Sequence, residues 1–299
     1  MRTSSASRSA FTAKAEPPPR RAPPALPLSA ARAALACLLL AAGACSQPTD
    51  VQPFPGQCGP FEVVQFTPAN DARDVPTNTP IDLVFSDYPD PDSVGRFSLL
   101  LTTGVYWHVG TYSVDLISKR VRFVTPGPLR PFLSYSINVS TTLRSMQGCP
   151  TSAQRRNFET GGGPSNTADA VTATGLAEVL PLFARSCAGD GCHRQAQADG
   201  GGCLATPASG LSLCDADAFA ALVGVPSREV SRLQRVAPRD SSHSYLLRKL
   251  LPASSIDGTT PDNAPPFPTT LGHRDPPGQV LSTEDLRLVA NWIDSGAGR

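Results

Sequence analysis

Ser134-Tyr135-Ser136-Ile137-Asn138-Val139 alternates polar and apolar side chains over six residues. On an extended backbone that sends Tyr135, Ile137 and Val139 to one face and Ser134, Ser136 and Asn138 to the other. Ile81-Asp82-Leu83-Val84-Phe85 reads the same way. Shorter runs at 61–66, 97–102, 105–109, 112–116 and 121–125 lie between clusters of Pro, Asn, Asp and Gly. Together they make about seven short strands with regular turn signals, the pattern of an all-β sandwich. No helix of any length fits between 61 and 159. Within this segment Tyr106-Trp107-His108 reads as a half-buried strand with one wet face, because nothing else polar accompanies it.

The period changes after Gly161-Gly162-Gly163-Pro164-Ser165-Asn166, a linker by composition that we place at 161–170. Leu176, Val179, Leu180 and Phe183 fall at helical spacing, interrupted by Pro181, where a kink or a late start is expected. Further helices are expected at 215–223 and 241–251. A last one opens on a Ser282/Asp285 capping box, presents Leu286, Val289, Trp292 and Ile293 on one face and ends at Gly296. The region from 171 to 299 therefore reads as all-α.

Within it stands Cys187-Ala188-Gly189-Asp190-Gly191-Cys192-His193, the one place where two thiols and an imidazole gather within a turn or two. A Cys pair followed at once by His is the attachment signature of a c-type haem. Each thiol adds to a haem vinyl group as a thioether, and the adjoining His reaches the iron as proximal ligand. The spacing is C-x4-C-H where C-x2-C-H is usual, and Gly189 and Gly191 supply freedom for the longer loop. Two other readings stay open: a Cys187–Cys192 disulfide in a region without haem, and a zinc site recruiting Cys203 or Cys214.

The start of the chain bears on redox compartment. Residues 1–45 carry six basic side chains and one acidic, and 33–44 (AALACLLLAAGA) form an apolar run too short to span a bilayer but right for a signal peptide. Ala42-Gly43-Ala44-Cys45 resembles a bacterial lipobox, with Ala42 where Leu is usual. On that reading 1–45 is a signal peptide, Cys45 is lipidated, and 46–57 is a polar tether to the membrane. The chain is then exported to the periplasm or cell surface, with a lipid anchor in the outer membrane. Export admits disulfides. Of eight cysteines, Cys37 lies in the apolar run and Cys45 at the lipid site. Setting aside Cys187 and Cys192, the rest fall into Cys58 with Cys149, bracketing the sandwich, and Cys203 with Cys214, closing a short loop.

With 31 Pro and 24 Gly among 299 residues, much of the chain must be turns. Removing the +5 of residues 1–45 from the net +1 leaves −4 for the remainder. A weakly acidic chain with no basic cluster has nothing with which to neutralise phosphates, which excludes nucleic acid as a partner. No Ser-His-Asp or paired-carboxylate arrangement is recognisable, so no enzymatic turnover is expected, a haem peroxidase being the one activity left open.

Two resemblances add to this. Residues 68–81 (PANDARDVPTNTPI), running into Leu83-Val84-Phe85-Ser86, together with Pro128-Leu129 followed by Tyr135, resemble the bacterial Ig-like domains of surface and S-layer-associated proteins. That implies an Ig-like β-sandwich over 58–160 acting as spacer or binding module. Val179-Leu180-Pro181-Leu182-Phe183, Cys192-His193, Ser244 to Leu250, and Trp292-Ile293-Asp294-Ser295-Gly296-Ala297 resemble a bacterial periplasmic cytochrome c-like domain, covering about residues 171–298. The longer Cys spacing is similar to a variant in some multihaem cytochromes c. The resemblance implies crossing first and last helices that bring Leu176 and Phe183 near Leu286 and Trp292. It also implies a distal Met, but Asp275 stands in that place in Gly272-His273-Arg274-Asp275-Pro276, and the only methionines are Met1 and Met146. His273 is then the candidate sixth ligand, while His243 reads as an exposed residue at a helix start.

The expectation is thus a multidomain chain: an all-β Ig-like sandwich at 58–160, then an all-α cytochrome c-like domain at 171–299. It would bind one covalent haem c through Cys187, Cys192 and His193 and pass single electrons between redox partner proteins. The alternative is a surface scaffold or binding lipoprotein whose second region has lost haem.

Overall fold

The structure, a computed structural model, describes residues 58–165, 173–188, 192–194, 203–252 and 280–299. Cys45, the tether and His273 lie outside the described residues.

Nine strands build the first part: β1 Val63–Thr67, β2 Ala72–Val75, β3 Ile81–Phe85, β4 Leu99–Thr103, β5 Tyr106–Trp107, β6 Thr111–Asp115, β7 Arg120–Val124, β8 Ser134–Val139 and β9 Gln154–Thr160. They form two sheets, of order β1-β3-β7-β6 and β2-β9-β8-β4-β5. All pairings are antiparallel except β2 with β9. The alternation of β3 and β8 decides which faces meet. Ile81, Leu83 and Phe85 from one sheet and Tyr135, Ile137 and Val139 from the other are buried in a common core with Val121, Phe123 and Phe158. Tyr135 is fixed at its far end as well, its hydroxyl accepting from the Arg130 amide at 2.9 Å. Cys58 and Cys149 are joined, Cα atoms 5.3 Å apart, tying the entering segment to the chain just before β9. Tyr106 and Trp107 are both exposed, not half-buried as their alternation suggested, because β5 is a two-residue strand at the sheet edge with no further neighbour.

The C-terminal region corrects the expected architecture. The described residues of 171–299 do not build an all-α cytochrome c-like domain. The described residues there hold four helices: α1 Leu176–Ser186, α2 Ala218–Leu222, α3 Tyr245–Leu250 and α4 Thr283–Asp294. Two of them are barely longer than one turn. Irregular chain tied by isolated bridges, Val223 to Val236, Pro226 to Gln234 and Gln234 to Ser244, fills the space between. The reason lies in where the polar residues are spent. Ser241 and Ser242, expected inside a helix, instead bond the Asp294 and Asp240 carboxylates at 3.0 and 2.7 Å. That delays α3 to Tyr245.

Nor is the core of this region its own. Tyr88, Leu116 and Met146, all from the sandwich segment, are buried in one continuous cluster with Leu176, Phe183, Leu247, Leu286 and Trp292. Polar bonds reinforce the junction: Arg287 to Asp115 at 2.8 Å, Arg232 to Asp92 at 3.1 Å and His243 to Asp92 at 3.2 Å. Helices α1 and α4 do pack together. Their ends are locked where Gly298 O accepts from the Leu176 amide at 3.1 Å and from Trp292 Nε1 at 2.7 Å. Pro181 sits on the exposed side of α1, which runs through it without a break. Ser282 caps α4, its hydroxyl accepting from the Asp285 amide at 3.1 Å.

Candidate functional site

The Cys187–His193 segment begins where α1 ends. Cys187 is the C-cap of that helix, its amide still bonded to Phe183 O at 2.9 Å. The His193 amide donates back to Cys187 O at 3.2 Å, joining the two ends of the motif. From the other side, Cys192 O accepts from the Ala208 amide at 2.9 Å and His193 O from the Leu213 amide at 3.0 Å. Arg194, buried, pairs with Asp215 at 2.9 Å. The Cys203–Cys214 disulfide, Cα atoms 5.5 Å apart, staples the loop that supplies these partners. The motif is therefore pinned at its start, its end and its flank.

His193 and Cys187 line a cavity of about 240 Å³. Five leucines, Leu211, Leu213, Leu222, Leu246 and Leu250, supply much of its apolar lining. His193 Nδ1 donates to Leu211 O at 3.1 Å, which fixes the tautomer and leaves the lone pair on Nε2. Cys192 is half-buried and carries a free thiol, so the Cys187–Cys192 bridge is not formed. One side of the cavity is ionic. The Glu229 carboxylate accepts from the Tyr245 hydroxyl and pairs with the Lys249 ammonium at 3.4 Å, while Arg228 and Arg235 contribute two guanidinium groups. No signal in the sequence marked this cationic wall, since its members are spread over 228–249 and meet only through the bridges between Val223 and Ser244.

The zinc reading finds no support. Among the described residues the one grouping of three donors close enough to share an ion is Cys203, Cys214 and Asp217. Its two sulfurs are consumed in the disulfide. The donor atoms of Cys187, Cys192 and His193 do not converge in this way. For thioether attachment they need not, since the two vinyl groups of a haem lie on different pyrrole rings.

His243 is not a free helix-start residue. Its Nδ1 bonds Asp240 at 2.7 Å and its Nε2 reaches Asp92 at 3.2 Å. The hydrogen bond to Asp240 raises its pKa above the usual imidazole value, against the opposing effect of burial. The bonds from His243 and Ser242 hold Asp240 below the ordinary carboxylate range although burial pushes it up. Nearby Arg248 is buried, its guanidinium donating twice to Ser242 O at 3.1 and 3.0 Å. Burial lowers its pKa, and the carboxylates of Asp90 and Asp92 oppose that. This cluster belongs to the junction with the sandwich and not to the cavity. His108 bonds Thr103 at 2.9 Å beside the exposed Tyr106 and Trp107, in the sandwich.

Residues 58–160 match the bacterial Ig-like domain family. No curated protein matches the chain. Solved structures overlap it in part. The N-terminal part of the bacterial S-layer protein SbsC does so at 10% identity, over 34% of this chain and 24% of that one, with a TM-score of 0.28. The copper resistance protein PcoC from Escherichia coli does so at 18% identity, over 33% of this chain and 97% of PcoC, with a TM-score of 0.28. CopC from Methylosinus trichosporium OB3b does so at 14% identity, over 36% and 99%, with a TM-score of 0.29. The chain thus spans about a quarter of the length of the S-layer fragment. The segment from Cys58 to Thr160 is a bacterial Ig-like domain, and the match ends before the region that carries the cavity.

Proposed function

We propose that the chain is an exported scaffold or binding protein in which an Ig-like domain holds a ligand-binding C-terminal region rigidly against itself. The observation that carries this reading is the shared core. Tyr88, Leu116 and Met146 of the Ig-like domain complete the packing of α1, α3 and α4, so the cavity behind α3 is braced by the sandwich. The two disulfides agree with an oxidising compartment. The lipid anchor at Cys45 is part of the same proposal. Among the described residues no helix is long and apolar enough to cross a membrane. The test is the chain produced with and without the cytochrome maturation machinery. In this reading both preparations fold alike and neither gives a haem-stained band after denaturation, whereas a covalent haem band overturns it.

A second reading, a haem-carrying protein passing single electrons to redox partners, is favoured by the state of His193. Its Nδ1 is taken by Leu211 O, its Nε2 keeps a lone pair, and it lines an apolar cavity together with Cys187. Cys187 and His193 stand on the face a haem would take, with Cys192 next to His193 in the chain: Cys187 and Cys192 would hold it as thioethers and His193 as iron ligand. When bound it would supply a one-electron couple. Among the described residues no second His and no Met lines the cavity.

A further inference from the structure

The ionic side of the cavity is unbalanced. Glu229 is its one carboxylate and is already engaged by Lys249 at 3.4 Å and by the Tyr245 hydroxyl. Arg235 spends one nitrogen on Ala221 O at 2.8 Å. Among the described residues, no carboxylate pairs with Arg235 or Arg228. Burial, and after it the repulsion of the Arg228 guanidinium, lowers the Arg235 pKa, with no carboxylate countering either. Arg228 is held over the backbone of Gly210, its Nη1 only 2.6 Å from where a Cβ on that glycine would stand. Gly210 itself takes a positive φ of 62°, so the absence of a side chain there serves both the turn and the approach of the guanidinium.

Two guanidinium groups that repel one another beside a leucine-lined cavity are stabilised by an anion placed between them. A carboxylate is the anion whose planar oxygens match a guanidinium fork. The leucines of the wall call for an apolar body behind that group. We propose that the cavity binds an apolar ligand ending in a carboxylate, with Arg228 and Arg235 as the residues that select the acid over its neutral analogue. This rests on the binding reading above and names its ligand class. The shared chemistry covers a long-chain fatty acid and a porphyrin-type acid alike, and the test has an arm for each.

The test uses the full chain made in a host without cytochrome maturation machinery, so it is haem-free whichever reading above holds. One arm titrates cis-parinaric acid against the corresponding alcohol, the other protoporphyrin IX against its dimethyl ester, both by fluorescence. In at least one arm the acid should bind the wild type about tenfold or more tightly than the neutral analogue, the worth of one charge-assisted hydrogen bond. In the double variant Arg228→Gln, Arg235→Gln that preference should vanish while the neutral analogue binds as before, which also shows that the variant is folded. Arg228→Gln alone, at an exposed position, should show a partial loss if the double variant does not fold. Equal binding of acid and neutral analogue to the wild type, a preference that survives in the variants, or no binding in either arm overturns the proposal. A haem-stained band from matured protein bears instead on the haem-free reading, so the two failures are distinguishable.

Discussion

Leu116→Ala tests whether the Ig-like domain and the C-terminal region are one cooperative unit. Leu116 follows β6 within the Ig-like domain, is 1% exposed, and packs in the cluster that contains Phe183, Leu286 and Trp292. Removing a fully buried leucine side chain leaves a cavity and costs about 3 kcal/mol. With a urea dependence of about 3 kcal/mol per molar for a chain of this size, the midpoint should fall by about 1 M. The chain has two tryptophans, and they report separate places: Trp107 on the exposed edge strand and Trp292 fully buried in α4. In a Trp107→Phe background fluorescence follows Trp292 alone, and in a Trp292→Phe background it follows Trp107 on strand β5 of the sandwich. Both curves should move together. Ile137→Ala, in the sandwich's own core cluster, should displace the Trp292 transition too. If Leu116→Ala shifts the strand signal and leaves the Trp292 curve where it was, the shared core does not couple the two parts and the brace proposed for the cavity fails.

Three further outcomes follow from the same contacts. His243 has a raised folded-state pKa, so its contribution is fully present below its unfolded value, about 6.5, and is lost as pH rises through the folded value. Asp240, lowered in the fold, contributes above about 3.9 and loses that as pH falls. Stability measured by urea titration should therefore be higher near pH 5 than near pH 8 by less than about 1 kcal/mol, since both groups are partly solvated, and His243→Gln should remove that difference. If the variant keeps the same pH slope, the Asp92–His243–Asp240 link is not its source. Replacing Cys203 and Cys214 by Ser opens a short loop and should cost about 2–3 kcal/mol, with the loss appearing in the Trp292 transition; an unchanged midpoint argues that the staple is not needed. Replacing Cys45 by Ser should release the chain from the membrane fraction, and a variant that still sediments with membranes refutes the lipid anchor.

The sandwich was legible where one face of a strand is buried, since β3 and β8 write that burial as strict alternation. It was not legible in β9, Gln154-Arg155-Arg156-Asn157-Phe158-Glu159-Thr160, where little besides Phe158 is apolar. That strand is held by pairing on both sides, with β8 and β2, and by Asn157 and Arg155 reaching the Ser136 hydroxyl at 2.8 and 2.9 Å. Pairing of this kind leaves no trace in a single-strand pattern. Helices α1 and α4 were legible because each carries a long apolar stripe and α4 a capping serine. The shared core was not, because a buried Tyr88, Leu116 or Met146 looks the same in sequence whichever partner it is buried against.

The Cys187–His193 segment shows what a motif does and does not carry. Spacing alone left a haem attachment, a disulfide and a metal site open, because each asks for the same residue types within a few positions. Geometry separates them by different criteria. A bridge needs the two sulfurs bonded, and Cys192 keeps its thiol. A zinc site needs convergent donors, and these three do not converge. What survives is an imidazole whose Nδ1 is spent on Leu211 O, lining a space with Cys187, five leucines and two guanidinium groups. The cationic wall comes from Arg228 and Arg235, more than thirty residues further on, positions that no local motif connects to it. The ligand class is therefore written in the tertiary fold of 203–252 more than in the seven residues that first drew attention.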